Sequence, residues 1–95
     1  MAIRDRLLAS KIVEARLGSI ILGTLTEFSP TYWRRVIHDP SSQVRSEAIR
    51  ILAKEGEPHQ AVRIIAERLH LPEPVVVVKA ELLSALGRLV FRMSD

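Results

Sequence analysis

Three histidines, His38, His59 and His70, are the side chains of this sequence whose ordinary pKa suits proton transfer near neutrality, and cysteine is absent. The missing thiols remove disulfides, thiolate metal ligands and cysteine nucleophiles together. A metal site needs several ligands converging on one point, yet neither His-Glu-x-x-His nor His-x3-His occurs. His38 and His70 fall where helices should end and are expected to meet the last carbonyls there. His59 beside Glu55 and Glu57 offers at most a weak cation site, in what Gly56 and Pro58 make a solvated turn. Ser41 and Ser42 lack the Gly-x-Ser-x-Gly elbow of an activated nucleophile, and read as helix-entry residues. No Gly-Lys-Ser/Thr phosphate loop exists, and no carboxylate pair is flanked by substrate-binding aromatics. The expectation is a non-enzyme with no catalytic residue, no cofactor and no metal.

What must position any other function is one small domain spanning residues 1–95, 47% apolar. Its 14 Lys and Arg against 11 Asp and Glu leave a formal charge of +3, and no block of five like charges marks a nucleic-acid tail or polybasic anchor. The apolar stretch Ile12 to Leu25 is broken by Glu14 and Arg16, and Asp5 and Arg6 interrupt any leader-like start. No membrane partner and a cytoplasmic location are expected.

Proline punctuates the chain. Ser29-Pro30, Asp39-Pro40, Glu57-Pro58 and Glu73-Pro74 each place a capping or acidic residue before Pro, the pattern of an N-cap followed by the first helical residue. Phe28 and Trp33 stand at the positions of a hydrophobic staple across the first of these starts. Between the marks the apolar spacing is helical, as in Val44, Ala48, Ile51 and Leu52, or Val62, Ile65, Ala66 and Leu69. The run Val75 to Val78 favours strand by itself but continues into long helix-forming side chains, and reads as the first turn of a buried helix. Six helices are expected, at about 2–9, 12–27, 30–38, 40–55, 58–70 and 74–92, with Gly18 and Gly23 allowing close helix contact. Connections this short make neighbours antiparallel.

A shift of 34 residues lays Val44, Arg45, Ala48, Ile49 and Leu52 on Val78, Lys79, Leu82, Leu83 and Leu86, and a shift of 30 relates Gly18, Ile21 and Leu22 to Ala48, Ile51 and Leu52. A period of this size built from helix pairs is the mark of an α-solenoid, in which each pair buries its apolar face on the next. The segment from Val36 to Arg45, through Asp39-Pro40 and Val44-Arg45 and on to Ala48, Leu52 and Ala53, resembles the HEAT-repeat family, particularly its short prokaryotic form. The resemblance implies an all-α solenoid of about three antiparallel helix pairs: a degenerate capping unit at 1–28, a repeat at 29–56, and a repeat with an apolar terminal helix at 57–95. An antiparallel helical bundle is the alternative. The resemblance also implies that Asp39 and Arg45 form a structural pair within and across repeats. In the last unit Lys79 replaces Arg, and either Leu71 or Glu73 stands where Asp would.

Two surfaces offer binding. Val78, Leu82, Ala85, Leu86 and Leu89 form one face of the last helix, while Val76, Leu83 and Val90 recur every seven residues on another, with Phe91 and Met93 beyond. A helix apolar on two faces is buried on both. The expected function is a non-enzymatic protein-interaction scaffold, pairing with itself or a second protein through Val76, Leu83, Val90 and Phe91. The alternatives are an accessory subunit of a larger assembly, or a nucleic-acid-binding module. For the latter the resemblance implies a cationic concave face, with Arg50, Lys54, Arg88 and Arg92 on longer helices and Arg34 and Arg35 on a shorter one.

Overall fold

The computed structural model describes Val13, Arg16, Leu17 and residues 29–94. The described residues are all-α and contain no strand. Val13, Arg16 and Leu17 are helical; the expected helix over 2–9, most of that over 12–27, Phe28 and the contacts of Gly18 and Gly23 lie outside the described residues. Four helices follow: α1, Pro30–Val36; α2, Ser42–Glu55; α3, Pro58–Leu69; and α4, Val76–Met93.

Two of the four proline-marked starts are N-caps. The Ser29 hydroxyl accepts from the Tyr32 N–H at 3.4 Å, and the Glu57 carboxylate accepts from the N–H groups of His59 at 3.2 Å and Gln60 at 2.9 Å. The other two differ from expectation. α2 begins at Ser42 after Ser41, and α4 begins at Val76 after Val75, so Pro40 and Pro74 precede the helices. The cause is the same in both turns. Asp39 Oδ1 accepts from the Ser41 N–H and Glu73 Oε2 from the Val75 N–H, each at 2.9 Å. An acid that folds back on the N–H two residues ahead closes a turn around the proline and delays the helix. At the other ends, α1 and α3 stop at Val36 and Leu69, with Ile37 and His70 as caps. The Val76–Val78 run is the first turn of α4, but only Val78 of the three is buried.

Glycine is required at the end of α2. A Cβ on Gly56 would stand 2.7 Å from the Leu52 carbonyl oxygen and 3.2 Å from Ala61 Cβ. That close approach lets α3 turn back directly over α2. Tyr32 and Trp33 of α1 enter the core as an edge-to-face pair with ring centroids 5.1 Å apart. Val44, Ala48 and Leu52 of α2, Ala61, Ile64 and Ile65 of α3, and Val78, Leu82 and Leu89 of α4 complete it. Each helix touches its neighbour in the chain. In addition α1 lies against α3, and α2 against α4, so every helix from α1 onward also packs on the one two places along.

Candidate interaction surface

The rigid seat of α4 is an ionic junction at its start. The Arg45 guanidinium of α2 grips Glu73 with two parallel bonds, Nε to Oε1 and Nη2 to Oε2, each at 2.9 Å. Arg68 of α3 adds a third, Nη2 to Oε1 at 2.8 Å. All three side chains are buried, that of Glu73 completely. The spare N–H groups are also used: Arg45 Nη1 donates to the carbonyls of Asp39 and Pro40, and Arg68 to those of Ile37 and Pro72. Burial pushes the Glu73 carboxyl up. The Arg45 bonds, the Val75 N–H and the two arginine charges outweigh it and hold the group below the usual glutamate range.

The turn one unit earlier is built alike, with Arg16 Nε donating to Asp39 Oδ2 at 2.7 Å. Arg45 therefore meets Asp39 at its main-chain oxygen, and the Asp39 carboxylate goes to Arg16. Glu73, 34 residues after Asp39, rather than Leu71, occupies the equivalent place. Lys79 forms no ion pair among the described residues.

The two faces of α4 separate cleanly. Val78, Leu82, Ala85 and Leu89 are buried against α2 and α3, and Leu86 is half-buried. Val76 is 81% exposed, Leu83 57%, Val90 55% and Phe91 79%. Val77 and Met93 are exposed beside them, and so are Ala80, Ser84 and Gly87. Sequence reasoning found the large members of this surface and missed Val77 and the three small ones. The signal for two of these was available: Ala80 and Gly87 follow Val76 and Leu83 by four residues, completing a seam of alternating four- and three-residue steps. From Val76 to Phe91 this outward face carries no charge, with Lys79 on one flank and Glu81 and Arg88 on the other.

The six candidate phosphate-binding cations are not gathered into one stripe. Arg34 forms a two-bond pair with Glu67 of α3, at 2.9 and 3.1 Å. Arg92 donates to the carbonyls of Ala53 and Gly56 at 3.0 and 2.9 Å, which makes it a cap on the end of α2. Arg50 is paired with Glu47. Arg50 and Arg88 share a shallow groove of about 110 Å³ between α2 and α4, with Glu81 in its wall. Lys54 and Arg35 are exposed. A larger open groove of about 370 Å³ lies near the starts of α2 and α4, lined by Leu17, Ser42, Ser46, Glu47, Val77 and Glu81 among others. There the Ser46 hydroxyl donates to Glu81 Oε1, with no imidazole beside them.

The histidines stand apart. His59 Nδ1 lies 3.1 Å from Glu57 Oε1 on an exposed turn. His38 and His70 sit at the ends of α1 and α3, where their main-chain N–H groups, not their rings, reach the carbonyls of Arg35 and Glu67 at 3.3 Å. Partial burial, and then the charge of Arg68, hold the His38 ring below the usual histidine range against the pull of Glu67. No three His, Asp or Glu side chains among the described residues converge as a metal site, and no described helix is long and apolar enough to cross a membrane. The chain significantly matches no protein-family model, no curated protein and no solved structure.

Proposed function

We propose that the chain is a HEAT-like α-solenoid segment that acts as a non-enzymatic protein-interaction scaffold, self-associating through the outward face of α4. The observation that carries this reading is the uncharged surface of Val76, Leu83, Val90 and Phe91, each more than half exposed in the isolated chain. An uncharged surface of large apolar side chains left open to solvent is the mark of an interaction site. The solenoid part draws support from the packing of α1 on α3 and α2 on α4, and from two acid-proline turns built alike 34 residues apart. Against a nucleic-acid role stand the engagements of Arg34 and Arg92 and the burial of Tyr32 and Trp33, which leaves no stacking platform in α1.

The test is molar mass by light scattering over a concentration series, for the wild-type chain and for Val90→Glu. A dimer or larger closed assembly that the substitution dissolves, with helicity retained, supports the reading. A Val90→Glu chain that assembles like the wild type contradicts it.

A further inference from the structure

We draw no further inference here: the strongest candidate, the outward apolar face of α4 around Leu83 and Val90, is the surface already described, and nothing in the structure shows what covers it.

Discussion

Leu82 and Leu83 are neighbours in α4 with the same side chain and opposite surroundings: Leu82 is completely buried and Leu83 is 57% exposed. The contrast extends along the helix. The inward row meets α2 and α3, while the outward row offers similar Val, Leu and Ala side chains to solvent. Residue type alone therefore does not decide which face of a doubly apolar helix forms the core. The deciding fact is where α2 and α3 lie, and the Glu73 junction fixes α4 against both through Arg45 and Arg68.

The sharpest way to break the contrast is to release that junction. Glu73→Ala leaves two buried guanidinium groups without their carboxylate and should cost about 3–5 kcal/mol in urea denaturation. Leu82→Ala empties a core site and should cost about 2–5 kcal/mol by the same measurement. Acid should act more gently on the junction. The folded-state pKa of Glu73 lies below its unfolded value, so its contribution is present above the ordinary glutamate range and is lost as pH falls through the folded value. Thermal stability of the wild type should therefore decline below about pH 5, and Glu73→Gln should flatten that decline. Gly87→Ala sharpens the comparison from the solvent side, because a Cβ there meets nothing within 4 Å. It should stabilise the folded chain by about 0.5–1 kcal/mol through helix propensity. Leu83→Glu should have the smallest effect on the fold, within about 0.5 kcal/mol.

Much of this was legible in the amino-acid order. The apolar periodicity gives α1 to α4, and the seven-residue recurrence of Val76, Leu83 and Val90 gives the second apolar face. The starts of α2 and α4 were misplaced because Asp39 and Glu73 resemble N-caps in type, but bond to the N–H two residues ahead. Arg68 was invisible as a junction residue, since an arginine on an amphipathic helix reads as solvated until the fold brings the Ile37 and Pro72 carbonyls to it. The engagement of Arg92 is hidden for the same reason. The residue reads as a phosphate-binding cation, and its partners at Ala53 and Gly56 lie more than 35 residues earlier in the chain. Charge on the surface is easily counted; whether a charge is already engaged depends on tertiary structure.

The central claim is that the outward row of α4 is an interface and not spare surface, and molar mass by light scattering on Leu83→Glu beside the wild type tests it most directly. The account predicts a concentration-dependent dimer or larger closed assembly for the wild type, and for the variant a monomer of unchanged helicity that no longer gains melting temperature with concentration. A wild-type chain that stays monomeric across the whole concentration series would contradict it.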